Sequence, residues 1–586
     1  EAGFHERFNR ALVNFDPNAE LPITAAAQAA YAAVAFPELP ADRFAVRGGS
    51  VYLGQSGLGQ NGRDSSHLSE NMLMPRLGIV YMLDNQTVVR GGYGLFYDTN
   101  NVLNNDLNQF GYNRDTATPV SNNNGLTFTS ANLTSAECLA DTANCTTIFS
   151  DPFPVRADGT RFNAPVGNAL GLMAGVGTNI GYIPLEWKHA RQQRWRFSIQ
   201  RELSKNMVFE FAYVGASADN LSVAKRIDAL PEQYWATGVI RNNGLADNLN
   251  TQVRNPFNIG NFASLQTSNP QLYQYMANNP FFTATTRSKG ALLRPSGHLN
   301  GSTISRAPLG ENRFNSLEFT LTKRFAQGLQ YMASYVRVWN QERISFDNEF
   351  DARPVWRESN NSRPHTVRFN ATWELPVGKG HRFLAGSKVA KIFLSGWRTS
   401  AIYNFRSGAA LDTGNWFFYG DDLRALVKSG DERTNAEWFN WQLLPGASRD
   451  YTSADRSRYE ARVRQLVPQS VLAQMGNICG PQNNTACTYE NVIPTNFQPN
   501  GFHRRVFPQR LSFVRTPIAN QIDLNLSRTI AVTEKLKMHF RTDFINALNH
   551  VNYVGPNNDI TSSNFGRVSN QANTPRWIQF QLRFTF

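Results

Sequence analysis

From Asn71 to the C terminus, apolar and polar residues repeatedly alternate, the spacing that sends successive side chains to opposite faces of a β-strand. Residues 76–83 and 87–97 flank Asp84-Asn85-Gln86 and read as a hairpin of two long strands on a tight turn. Residues 191–203 and 207–217 repeat the unit around Ser204-Lys205-Asn206. There Trp195, Phe197, Ile199 and Arg201 alternate with Arg196, Ser198, Gln200 and Glu202. In the third pair Leu317, Phe319, Leu321 and Phe325 oppose Ser316, Glu318, Thr320, Thr322 and Arg324. After Ala326-Gln327-Gly328 the apolar row returns as Leu329, Tyr331, Ala333 and Tyr335. Lys323 interrupts that row near the turn, where a long side chain reaches a headgroup region. Residues 363–376 and 395–407 form a fourth pair with a longer basic connection. A fifth carries Ile522, Leu524, Leu526 and Ile530, then Leu536, Met538, Phe540 and Phe544. In the last ten residues Ile578, Phe580, Leu582, Phe584 and Phe586 face one way and Gln579, Gln581, Arg583 and Thr585 the other.

Such alternation alone suits a half-buried strand of any antiparallel sandwich, and the connections decide between the readings. The turns are mostly two to four residues long, whereas the links at the opposite end are long: one runs from about residue 98 to 190, one to about 311, and one from 408 to about 519. Compact soluble domains seldom carry several loops of that length. Outer-membrane barrels do, with short periplasmic turns and long external loops. Residues 1–12 read as one more strand. Residues 23–36, Ala-rich between Pro22 and Pro37, read as a short helix belonging to a loop and not to a core, and 453–466 as another helix. The fold expected is all-β: an antiparallel transmembrane β-barrel contributing about twelve strands, with short periplasmic turns, long extracellular loops and a few short helices. Phe586 then lies on the short-turn side, in the periplasm.

Composition narrows this only slightly. No apolar run approaches the length of about eighteen residues that a transmembrane helix needs. A mean hydropathy of -0.41 fits barrel and soluble protein alike. Aromatic residues at 12% favour aromatic-girdled strands. The net charge of +13 is scattered along the chain with no nucleic-acid-binding motif, so a polar lumen and contact with anionic lipid account for it. Glu1 opens into polar sequence, which places any export signal upstream or removes it by processing. Cys138 with Cys145, and Cys479 with Cys487, form two close pairs inside polar loops. They read as local disulfides of an oxidising compartment, zinc being the weaker reading because no histidine stands at ligand spacing.

Other chemistry finds no support. No His-x-x-x-His pair and no Gly-x-Ser-x-Gly elbow occurs. Gly378-Lys379-Gly380 lacks the remainder of a phosphate loop, and Gly91-Gly92-Tyr93-Gly94 sits within a strand, where small residues relieve crowding. No catalytic, cofactor or metal site is predicted.

Five stretches, 71–98, 194–217, 315–336, 540–553 and 565–586, resemble the barrel of TonB-dependent outer-membrane transporters, particularly the Oar-like branch. The resemblance implies a barrel of about twenty-two strands around a plug, energised through a TonB box that precedes the plug. Residues 1–586 then form the C-terminal portion of that barrel, without plug, TonB box or N-terminal regulatory-like domain, and the chain reads as incomplete. Implied partners are outer-membrane lipid and lipopolysaccharide, the TonB complex through a region outside this sequence, the barrel-assembly machinery that recognises the C-terminal aromatic, and an unidentified solute; no cofactor and no nucleic acid are expected. Glu318, Arg324, Arg541 and Asp543 are candidates for the lumen wall, with inter-strand ion pairing as the favoured role. Trp416-Phe417-Phe418-Tyr419 and the Asn-rich run 100–124 are candidate external contacts, with packing inside the loops as the alternative. The final strand should pair with residues 535–548 on one side and with the barrel's first strand, absent here, on the other. A passive structural or adhesive barrel is the competing function.

Overall fold

The computed structural model describes residues 6, 12–54, 62–63, 71–98, 109–112, 116, 153, 155, 159–162, 164–184, 187–238, 242–377, 383, 389, 393, 395–412, 424, 427–439, 502–505, 508–558, 564 and 566–586. Two strands, β1 (Val13–Glu20) and β2 (Arg47–Tyr52), pair with each other and enclose helix α1 (Thr24–Ala32). The chain continues through β3 (Arg76–Asp84), β4 (Thr87–Tyr97), the short β5 (Asn179–Tyr182), β6 (Arg191–Ser204) and β7 (Met207–Arg226). After the small β8 (Gln252–Arg254) and β9 (Thr286–Ser288) come β10 (Gly301–Ala326), β11 (Leu329–Arg343), the two-residue β12 (Arg357–Glu358), β13 (His365–Glu374) and β14 (Trp397–Arg406). The last strands are β15 (Ala410–Asp412), β16 (Arg510–Arg515), β17 (Ala519–Ala531), β18 (Lys537–Ile545) and β19 (Trp577–Thr585).

Eleven of these form one continuous antiparallel sheet in the order β19-β18-β17-β14-β13-β11-β10-β7-β6-β4-β3. All five expected hairpins are present, and β19 pairs with β18 from Lys537↔Thr585 to Ile545↔Trp577, inside the stretch expected to receive it. Among the described residues no ladder joins β3 to β19, so the sheet is open. The expected strand at residues 1–12 lies almost wholly outside the described residues, as do the predicted helix 453–466 and all four cysteines.

The register follows from the alternation, because a slip of one residue would turn every apolar side chain to the wrong face. Across the sheet Tyr81, Val89, Ile199, Phe211, Phe319, Tyr335, Val367 and Phe405 are successive partners. From the other edge Ile578, Phe544, Leu524, Ala401, Ala371 and Tyr331 are likewise. This apolar face is uncovered: Phe580, Leu582, Phe584, Trp373 and Phe197 are all exposed. An apolar surface of that extent is unstable in water and stable against hydrocarbon, where each such side chain contributes about 2 kcal/mol on burial. At the turn end Arg528 lies over the Trp397 ring at 5.8 Å and Trp397 meets Phe540 edge-on, an aromatic and cationic rim beside the Lys323 row. No helix among the described residues is long and apolar enough to cross a membrane.

The buried core lies elsewhere, in a lobe at the long-connection end. β7 and β10 extend well past the expected strand limits, to Arg226 and back to Gly301, so the link expected to run to about 311 ends ten residues earlier. β5 adds a short parallel ladder to β10 there. Around this extension pack β1, α1, β2 and the segments near 170–183 and 227–299, with Tyr31 stacked on Phe44 at 4.0 Å and Phe257 against Phe281 at 5.4 Å. The expectation that the Ala-rich helix is mere loop is therefore wrong: Ile23, Ala27 and Tyr31 are completely buried. Thr24 Oγ1 and Gln28 Nε2 tie the helix to the Val46 and Phe44 carbonyls at 2.9 and 3.2 Å, and the Tyr31 hydroxyl donates to the Leu39 carbonyl at 2.5 Å, satisfying the polar atom that burial would strand. Burial raises the Tyr31 pKa to about 12, so the phenol stays protonated.

Candidate functional site on the polar face of the sheet

The same alternation that produces the apolar face collects the charged residues on the other. Arg196 on β6 donates to Glu210 on β7 and to Glu318 on β10, each at 3.0 Å, spanning three strands with one guanidinium. Arg398 on β14 pairs with Glu374 on β13, beside a Thr372–Ser400 hydroxyl contact of 3.0 Å. Farther along, Arg541 Nε donates to Asp543 at 2.8 Å and Asn525 Nδ2 donates to the same carboxylate at 2.7 Å. These groups line a cavity of about 460 Å3 with Ser400, Asp523 and Gln579. A neighbouring cavity of about 430 Å3 is lined by Thr322, Arg324, Gln330 and Asn370.

All four sequence candidates thus occur on the polar face, but not as one constellation. Glu318 makes an inter-strand ion pair, the reading the sequence favoured for it. Arg541 and Asp543 instead pair along a single strand, two residues apart, because the period of two sets them on the same face. Arg324 sits next to a tight turn, its backbone N–H held by the Asn206 carbonyl at 2.8 Å. Sequence reasoning missed Arg196, the residue that organises Glu318, and also Arg368 and Arg406, which line a third cavity at the long-connection end. Both fall in polar rows of strands that were correctly read; only the register shows that they are neighbours. The Trp416–Tyr419 cluster and most of the Asn-rich run lie outside the described residues. Among the described residues no three His, Cys, Asp or Glu side chains gather as metal ligands. The face offers ion pairs, amides and hydroxyls, the equipment of a polar binding wall.

Residues 1–579 match the family described as "Outer membrane beta barrel domain". The chain belongs to this outer-membrane β-barrel family. Its localisation is the outer membrane.

Three solved structures illustrate what the barrel domain is similar to. The outer membrane transporter YddB from Escherichia coli aligns at 9% identity over 86% of this chain and 38% of its own, with a TM-score of 0.31. The ferripyoverdine receptor of the outer membrane of Pseudomonas aeruginosa aligns at 9% identity over 92% of this chain and 35% of its own, with a TM-score of 0.30. The ferric preacinetobactin receptor BauA from Acinetobacter baumannii aligns at 7% identity over 87% of this chain and 36% of its own, with a TM-score of 0.28. The chain spans less than two-fifths of the length of each. No curated relative matches the sequence.

Proposed function

We propose that residues 1–586 are the C-terminal portion of the barrel of a TonB-dependent transporter of the Oar-like branch, which imports a scarce solute across the outer membrane. The observation that carries the reading is the two-faced sheet: an uncovered apolar face for lipid backs a face whose charged groups are arranged for solvent and solute. The five family-like stretches supply the TonB-dependent assignment. On this reading the apolar face meets lipid and lipopolysaccharide, and Glu318, Arg324, Arg541 and Asp543 belong to the lumen wall. The tight turns and Phe586 lie in the periplasm, where the barrel-assembly machinery meets the C-terminal strand. Solute binds between the long-connection lobe and a plug, and the TonB complex drives its release inward. No bond is made or broken, so the protein is not an enzyme. Cysteine pairs Cys138–Cys145 and Cys479–Cys487 close small disulfides in external loops.

The packed lobe favours one second reading, a structural or adhesive barrel that uses this folded surface to hold a partner. Growth of a deletion strain on single scarce solutes separates the two. Import predicts a growth defect on at least one solute that is reproduced by deleting tonB; an adhesive role predicts normal growth on all of them and loss of attachment instead.

A further inference from the structure

The third cavity of the polar face, about 310 Å3, opens at the long-connection end between β13, β14 and β17. In the ladder Arg368 faces Asn404, which faces Gln521, and in the next row Thr366 faces Arg406, which faces Ala519. Arg368 and Arg406 are therefore diagonal neighbours on adjacent strands, and both line the cavity. Several arginines nearby or on this face are matched with carboxylates: Arg196 with Glu318, Arg398 with Glu374, Arg541 with Asp543, Arg515 with Glu358, and Arg510 with Glu342 and Asp412. Among the described residues, no carboxylate pairs with Arg368 or Arg406.

The surroundings add donors and more positive charge. Asn552 is buried at the cavity wall, and its carboxamide oxygen accepts from the Asn520 N–H at 2.8 Å, so the free end of the group is its amide nitrogen, a pure donor. Just before β13, Arg363 spends its Nη1 on the carbonyls of Asn360 and Ser362. Burial lowers its pKa, and the cations of Arg406 and Arg515 lower it further against the opposing pull of Glu358, so like charges are gathered beside this end of the cavity. Asp523, two residues beyond Gln521 on β17, lines the neighbouring cavity and is engaged by Gln521 Nε2 at 2.9 Å and by the Asn546 N–H at 2.8 Å.

We propose that Arg368 and Arg406 form a binding site for an oxyanion, a carboxylate or phosphate group borne by the solute. The inference rests on the import reading for its direction of traffic and names the class of solute. Two planar guanidinium forks suit bidentate contact with oxyanions, and a concave wall of one sign concentrates counter-charge.

The test uses the full-length gene product in detergent micelles, titrated calorimetrically with inorganic phosphate, with succinate and with neutral glucose. Saturable binding of phosphate or succinate but not glucose is expected, and whichever anion binds more tightly identifies the group. The double variant Arg368→Gln, Arg406→Gln should weaken that binding at least tenfold. The double lysine variant should recover part of it, and Lys205→Gln, which removes one positive charge at a distant turn, should leave it unchanged. Heat-modifiable gel mobility checks that each variant is folded. Binding unaffected by the glutamine pair overturns the proposal. So does the absence of binding to either anion, the result expected if a carboxylate elsewhere in the full-length chain already neutralises the pair. Anion binding by the purified protein with no TonB-dependent uptake of that anion by cells would instead count against the import reading alone.

Discussion

The indole of Trp195 occupies the space where a side chain at Gly215 would begin. A Cβ built on Gly215 would stand 2.2 Å from Trp195 Nε1 and 2.3 Å from Cε2, and the two residues are direct ladder partners on the apolar face. The glycine is required for this close approach and not for its own backbone conformation, while the aromatic ring covers the backbone that glycine leaves bare. Gly215→Ala should therefore cost about 1–3 kcal/mol by forcing the ring aside. Trp195→Ala in the same background should remove most of the added penalty. Urea unfolding in lipid vesicles, followed by tryptophan fluorescence, measures both; additive costs would show that the two sites are uncoupled.

Phe319 and Thr320 are consecutive on β10 but belong to opposite faces, and Phe319 touches Phe211 at 5.2 Å in the middle of the apolar band. Placing arginine at 319 should destabilise the folded barrel by about 2–4 kcal/mol, the cost of a guanidinium near the bilayer midplane. Arginine at 320, in a wall that already carries Glu318 and Arg324, should cost well under half as much. Equal costs from vesicle unfolding would mean that the face assignment is inverted or that neither face meets lipid.

This contrast also marks what was legible in the sequence. Strands β3, β4, β6, β11 and β17–β19 are readable because one face must be apolar and the other not, and a hairpin turn fixes register locally. The outer halves of β7 and β10 are not: from Gly301 to Gly310 the sequence follows no alternation, since that stretch leaves the apolar band and packs against the lobe. The lobe itself was invisible because its contacts join Tyr31 and Phe44 to Phe257 and Phe281, segments separated by some two hundred residues with no periodic pattern between them. On the polar face single residues were legible and their partners were not. The Arg196–Glu318 contact skips a strand, and the Arg368–Arg406 diagonal exists only once β13 and β14 are in register.

Arg196 holds two carboxylates, on the adjacent strands β7 and β10, that would otherwise repel. All three side chains are partly exposed, so each pair is worth little, on the order of 1 kcal/mol or less. A double-mutant cycle between Arg196→Gln and Glu318→Gln should give a coupling in that range which shrinks in high salt. Arg196→Gln alone should lower stability more than Glu318→Gln alone, because it leaves two carboxylates as diagonal neighbours on adjacent strands instead of one cation still paired. The reverse order would show that Arg196 does not bridge.

His298 makes the lobe sensitive to acid. Its ring is fully buried, with Nε2 donating to the Gly48 carbonyl at 2.7 Å and Nδ1 without a partner among the described residues. Burial, aided by the Arg287 cation, pushes its pKa down to about 4, against the opposing pull of the Gly48 hydrogen bond and of Asp228. Arg287 is half-buried with its guanidinium over the Phe281 ring at 4.2 Å, while Asp228 is held by Arg226. The folded lobe therefore resists a proton that the unfolded chain takes up near pH 6.5. Stability from this residue is complete above about pH 6.5, is lost progressively down to about pH 4, and changes little below that, a total of up to about 3 kcal/mol. Hydrogen exchange of the lobe amides at pH 7.5, 5.5 and 4.5, corrected for intrinsic rates, should show protection falling over this window. His298→Gln keeps a donor for Gly48 but has nothing to titrate, so it should start less protected and lose less as the pH falls. If both proteins lose protection in parallel, the acid sensitivity belongs to other groups.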